Sequence, residues 1–273
     1  MSHDTTDHDT TGQGSTGRGP TSHDALRTDT SGATGYAVNA QYYDLIFPAA
    51  QRDAMRAALT TLLAGARRVV EIGSGTGQFT ETLVANLPAG GEVFAVEPAP
   101  VMRAALTTRL AALGDPPVTV LPEEALTAEV DGPVDAVVAL HVLTHFSPAD
   151  RAALWDRWAP RLNPGGVVVV DVQAPQTPVA VPATTVPGRT LGRRRYDSVS
   201  EAAVDGDGLV WTVTYRVHEG DRLVSRESVS FPSFVVPDEV LHAELRGAGC
   251  EPVPEPPPGV LAWRANRSRP GVA

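Results

Sequence analysis

The chain contains no lysine: all 22 of its basic residues are arginine. Without an amine side chain there is no Schiff-base chemistry, no pyridoxal phosphate attachment and no phosphate-loop lysine. The single cysteine, Cys250, excludes an intramolecular disulfide and a zinc site of several thiolates, and it fits a reducing compartment. No apolar run approaches the ~20 residues of a membrane span, and the first residues lack the apolar core of a signal peptide. A cytoplasmic protein with no membrane partner is the expectation. Net positive charge is missing too, since the formal charge is −10 and the pI is near 5.1. Nucleic-acid binding depends on counterion release from a basic face, so no nucleic acid is expected and a small-molecule substrate is. No metal-ligand cluster stands out. His3, His8 and His23 lie among aspartates, in a stretch that reads either as a solvated tail or as a weak metal site, and no metal is invoked.

What is present is organised around Val69–Thr80. A short apolar run there meets three glycines at every second place, Gly73, Gly75 and Gly77, and then a helical pattern. A buried strand hands over to a helix in this way, through a turn whose backbone a ligand can touch. A dinucleotide fingerprint needs a glycine at the sixth place to pack helix on strand, and Gln78 stands there. The pattern is instead Glu71-x-Gly-x-Gly-x-Gly77, with a second acid, Glu97, closing the next apolar strand (Glu92–Glu97) twenty positions later. A carboxylate at that strand tip is placed to accept both hydroxyls of a ribose.

At these residues the chain resembles the class I S-adenosylmethionine-dependent methyltransferases, and the resemblance extends motif by motif over about residues 36–172. It implies an α/β, Rossmann-like seven-stranded sheet with helices on both faces, an N-terminal helical cap and S-adenosyl-L-methionine as cofactor. Cofactor contacts carried over by the resemblance are Glu71, Gly73, Ser74, Gly75, Gly77, Glu97, Pro98, Met102, Glu124, Ala125 and Leu140. Glu124 occupies the place where relatives commonly carry an aspartate for the adenine amine, with a longer side chain, and a surface carboxylate is the other reading. Met102 either flanks the adenine or belongs to the core. A Tyr-Asp pair before the first strand often belongs to a cap over the methyl donor, which singles out Tyr43 ahead of Tyr42 and Tyr36; packing of the cap on the body is the alternative.

The apolar run Val134–Leu140 reads as a strand covered on both faces. Ligands of open parallel sheets bind beyond the carboxyl ends of strands, so His141 should lie near the transferred methyl and could serve as a base, its unperturbed pKa being near 6.5. His141 and Tyr43 are therefore the catalytic candidates. His145 is either a substrate contact or a packing histidine. Ser147-Pro-Ala-Asp150 starts a helix with a cap, a proline at the first position and an acid, and Asn163-Pro-Gly-Gly166 turns into the next buried strand.

Residues 173–188 carry four prolines and read as an extended crossing segment. After it, period-two stretches over 189–198, 209–218 and 223–234 predict a three-stranded antiparallel insert. Trp211 and Tyr215 share one strand face, as acceptor contacts or as core of the insert. Arg193-Arg194-Arg195 should alternate across a strand, as a solvated edge or with one guanidinium on an acidic group. A helix over 237–248 and a hairpin of 250–253 with 260–264 should complete the sheet, with Pro256-Pro257-Pro258 as a stiff connection.

The domain reading is a disordered tail (1–33), a helical cap (34–64), the adenosylmethionine-binding core (65–188), the insert (189–235), a closing helix and hairpin (236–266) and a short tail (267–273). The function expected is methyl transfer to nitrogen or oxygen of a small-molecule acceptor by a monomer or homodimer. A non-methylating cyclase or binding protein on the same fold is the first alternative. A nicotinamide-dependent oxidoreductase is the second, and Gln78 counts against it.

Overall fold

The computed structural model describes residues 28–29 and 32–266. The tail histidines and residues 267–273 lie outside the described residues. Part of the segment expected to be a tail is structured: Thr28–Asp29 forms a short strand, β1, and helix α1 already begins at Gly32.

Two helices precede the body, α1 (Gly32–Ile46) and α2 (Ala49–Leu62), with Pro48 between them as the N-cap of α2. A seven-stranded sheet follows, built from β2 (Arg68–Ile72), β3 (Glu92–Val96), β4 (Val118–Leu121), β5 (Val134–Ala139), β6 (Leu162–Asp171), β11 (Cys250–Pro252) and β12 (Val260–Ala265). Its order is β11-β12-β6-β5-β2-β3-β4. β2 pairs in parallel with both β3 and β5, whereas β12 runs antiparallel to β6. The strand order therefore switches at β2, the place where open α/β sheets bind ligands.

Central strands read as unbroken apolar runs because both of their faces are covered. On one face α2, α3 (Thr80–Asn86) and α4 (Pro100–Ala111) bury Met55, Leu59, Leu83 and Leu106. On the other, α5 (Pro148–Trp158) and α6 (Asp238–Gly247) bury Leu154, Trp155, Trp158, Leu241 and Leu245. Ser147 caps α5 as the sequence suggests, its hydroxyl oxygen accepting the Asp150 N–H at 3.1 Å. Arg151 is buried and donates through Nε and Nη2 in a forked pair of bonds to Glu244 of α6, the closer at 2.8 Å, which ties these two helices.

The insert has four long strands, not three: β7 (Val181–Leu191), β8 (Arg194–Asp205), β9 (Gly208–Glu219) and β10 (Arg222–Phe234), ordered β1-β10-β9-β8-β7. The missed strand is β7, read from sequence as a proline-rich crossing. Pro182 and Pro187 are tolerated because β7 is the edge strand, and its register with β8 slips twice, after Val181 and after Pro187. Proline lacks the ladder donor, so edges and bulges are where a sheet accepts it. The insert thus starts eight residues before the expected boundary at 189. Arg193 sits in the β7–β8 turn, so the three arginines do not all alternate on one strand. Arg193 and Arg194 pair with Glu219, and Arg195 with buried Asp197.

Candidate active site

The turn after β2 is stitched to β3: Gly73 and Ser74 N–H groups donate to the Val96 carbonyl at 2.9 and 3.0 Å. Gly73, Gly75 and Gly77 all have positive φ, at 69°, 57° and 82°. At two of them space is also exhausted. A Cβ on Gly73 would lie 2.8 Å from Val142 Cγ2, and one on Gly77 would lie 2.7 Å from Leu106 Cδ1. Gly77 thus does for α4 the close-packing job that a sixth-place glycine does in a dinucleotide site. Around Gly75 the space is open, the nearest heavy atom to such a Cβ being 3.9 Å away, and Gly75 faces a cavity of about 670 Å³. That volume is in the usual range for small-molecule sites.

Glu97 stands at the same end of β3. Its two carboxylate oxygens accept the Gly75 and Ala99 backbone N–H groups, each at 2.8 Å. Burial raises its pKa, while those two N–H groups and Arg103 pull it back down. Each oxygen keeps a further lone pair, so the carboxylate still accepts hydroxyls from the cavity it lines. Glu71 is different. It is buried beneath the turn, where its Oε2 accepts the Thr80 hydroxyl at 2.5 Å, and it is not part of the cavity wall. Burial pushes its carboxyl up to about 7 against the hydrogen bonds of Thr80 and Ser74, and the charge of Glu97 adds to the rise.

Of the other expected contacts, Tyr43, Met102, Leu140, His141, His145 and Trp211 line this cavity together with Gly73, Gly75 and Glu97. Ser74, Gly77, Pro98, Glu124, Ala125 and Tyr215 do not. Glu124 is exposed, and Ala125 is buried with its carbonyl accepting Trp158 Nε1 at 2.9 Å. Tyr215 stacks on Tyr42 with ring centroids 4.6 Å apart and donates to Asn39 at 2.7 Å, so it anchors the insert on α1 while Trp211, on the same strand face, reaches the cavity. Tyr43 lines the cavity near Phe47, and burial, followed by the charges of Asp171 and Asp44, raises its pKa well above the usual tyrosine value. Burial lowers the His145 pKa, which keeps that ring neutral; it lies between Tyr36 and Phe231.

His141 follows β5 with φ at 55°, a strained conformation for a residue with a side chain. Asp171, at the end of β6, holds it there: Oδ1 accepts the His141 backbone N–H at 2.9 Å, and Oδ2 lies 3.2 Å from Nδ1. The ring also meets the edge of Phe47 at a centroid distance of 5.0 Å. Nε2 is buried and has no hydrogen-bond partner within the chain. Sequence reasoning missed Asp171, although the signal was the one used for Glu97, an acid closing an apolar strand. It also missed what Asp44 does. Asp44 accepts from Thr76 Oγ1 at 2.7 Å and Gln78 Nε2 at 2.9 Å and pairs with Arg109, fastening α1 to the glycine turn and α4.

Residues 70–168 match a family model described as a methyltransferase domain. The fold over this body is that of the class I methyltransferases. Among solved structures it is similar to the S-adenosylmethionine-bound amino pentose methyltransferase of calicheamicin biosynthesis from Micromonospora echinaspora, at 21% identity and a TM-score of 0.67, covering 84% of this chain and 97% of that one. It is also similar to a sugar N-methyltransferase from a Streptoalloteichus species, at 23% identity and a TM-score of 0.63, covering 93% and 100%. A third is the CcbJ methyltransferase from Streptomyces caelestis, at 21% identity and a TM-score of 0.63, covering 84% and 96%. No curated protein matches the sequence significantly. That fold implies S-adenosylmethionine, and the residues fit it. The open space at Gly75 admits a ligand to the backbone, Glu97 offers free lone pairs for the ribose, and Met102 and Leu140 supply apolar surface. Among the described residues no helix is long and apolar enough to cross a membrane, and no group of metal-ligating side chains is present.

Proposed function

We propose that the protein transfers a methyl group from S-adenosylmethionine to a nitrogen of a small, sugar-like amine. One observation carries the reading: a single cavity joins the donor cradle of Gly73, Gly75 and Glu97 to an acceptor wall of His141, Asp171 and Trp211. The likeness to an amino pentose methyltransferase and a sugar N-methyltransferase supports an amine acceptor, and the acidic chain supports a substrate without a nucleic-acid backbone.

When bound, the donor supplies an electrophilic methyl on a sulfonium. The chain's task is then to hold the acceptor in line and keep water out, which can be worth on the order of 7–11 kcal/mol. The cap helix α1 closes one side of the cavity through Tyr36, Asn39 and Tyr43, and the insert closes the other through Trp211 and Phe231. An amine that gains a methyl must shed a proton. His141, oriented by Asp171 through Nδ1, is the group to take it, and with Nδ1 turned to the carboxylate the Nε2 is the accepting atom.

Labelled methyl transfer against a panel of amino sugars, other small amines, phenols and carboxylates tests the proposal. Label on an amino sugar nitrogen supports it. Tight binding of S-adenosylhomocysteine with no label on any acceptor would favour a non-methylating protein on the same fold, and binding of a nicotinamide cofactor instead would favour an oxidoreductase.

A further inference from the structure

The charge of the acceptor side narrows the substrate further, an inference that rests on the methyl-transfer reading above. The chain has 22 arginines, yet none is among the described residues that line the cavity. At the donor end, Arg103 donates through Nη1 to the Glu97 and Pro98 carbonyls. Among the described residues, the acids facing the cavity are Glu97 and Asp171, and the basic side chains there are His141, turned to Asp171, and His145, whose pKa burial lowers. Phosphates are recognised by guanidinium forks and other cations, and a dianion placed beside two partly desolvated carboxylates is repelled rather than bound.

What the wall offers instead is apolar and aromatic. Trp211 and Phe231 are direct cross-strand partners of β9 and β10 on the cavity side. The rim continues with Val172 and Phe234, which also line the cavity and are 44% and 40% exposed. Exposed apolar residues at a cavity mouth mark a contact surface for ligand, and aromatic faces beside carboxylates favour a cationic amine.

We infer that the acceptor is a phosphate-free amine carried on an apolar group, such as an amino sugar already attached to an apolar aglycone, and not a nucleotide-linked or phosphorylated sugar. The reaction class that supplies it is then a glycosyl transfer that precedes methylation.

Calorimetry on the enzyme saturated with S-adenosylhomocysteine tests this with a matched pair: the phenyl glycoside of an amino sugar, and the same glycoside bearing a phosphate ester. The phosphate-free member should bind at least tenfold more tightly, and Trp211→Ala should weaken it about tenfold while leaving the S-adenosylhomocysteine titration unchanged. Equal or tighter binding of the phosphorylated member, no binding of either, or indifference to Trp211→Ala would overturn the inference. Absence of heat in the S-adenosylhomocysteine titration itself would overturn the methyltransferase reading beneath it.

Discussion

Glu71→Gln should stabilise the protein, and by an amount that depends on pH. The carboxyl lies buried under the glycine turn, and its pKa is raised from 4.5 to about 7, chiefly by loss of hydration. The folded chain therefore binds a proton there more tightly than the unfolded chain does. Below pH ~4.5 both states are protonated and the group is neutral in each. Between the two values the unfolded chain releases the proton while the folded chain keeps it, so stability falls as pH rises, and above pH ~7 the loss is complete. At about 1.4 kcal/mol per tenfold change in proton affinity, the full loss is roughly 3 kcal/mol.

Glutamine is the closest neutral copy of the protonated acid, and its amide oxygen can accept the Thr80 hydroxyl that Glu71 accepts at 2.5 Å. The variant should gain about 1 kcal/mol near pH 5.5 and about 3 kcal/mol near pH 8. At ~2–4 °C per kcal/mol for a chain of this size, the melting temperature near pH 8 should rise by about 6–12 °C, and near pH 5.5 by less than half of that. Thermal scans of both proteins at the two pH values read the difference directly. An equal gain at both would show that Glu71 is already ionised in the fold, and a loss near pH 8 would show that its charge is needed.

Three further outcomes follow from the same site. Asp44→Ala removes the acceptor of Thr76, Gln78 and Arg109; because Asp44 is partly exposed, about 2 kcal/mol is the expected loss, read as roughly 30-fold weaker S-adenosylhomocysteine binding by calorimetry. His141→Ala should lower turnover by about 10²-fold or more with donor affinity nearly unchanged, and equal turnover across the pH range would remove His141 from the mechanism. Gly77→Ala forces a side chain to a φ of 82° and a contact of 2.7 Å with Leu106, so a loss of about 1–3 kcal/mol should appear as a lowered melting temperature.

Much of the body was legible in the sequence because its strands are covered on both faces: β2, β3, β5 and β6 are apolar runs, and the turns between them carry their glycines and prolines in place. The glycine turn was legible because positive φ at Gly73, Gly75 and Gly77 leaves a glycine pattern, and Glu97 because an acid closes an apolar strand. β7 was not, because a proline signals a break unless the strand is known to be an edge, and edge position is a property of the whole sheet. Glu71 and Glu97 look alike in sequence, yet one is turned under the loop and the other into the cavity. Asp171 became visible as a partner of His141 only when β5 and β6 were seen to lie side by side.

The cap helix joins these parts through three successive residues. At about 100° per residue, Tyr42, Tyr43 and Asp44 point in three directions. Tyr42 stacks on Tyr215 of the insert and donates to Glu227 at 2.6 Å, Tyr43 faces the cavity, and Asp44 grips the glycine turn. A rotation of α1 that loosened Asp44 from the glycine turn would also move Tyr43 in the cavity and Tyr42 against Tyr215 of the insert. The donor cradle lies on the seven-stranded sheet and Trp211 of the acceptor wall on the insert, and α1 touches both. Binding at one should therefore alter affinity at the other by the same factor in either direction, as linkage requires, and Asp44→Ala should reduce that coupling along with donor affinity.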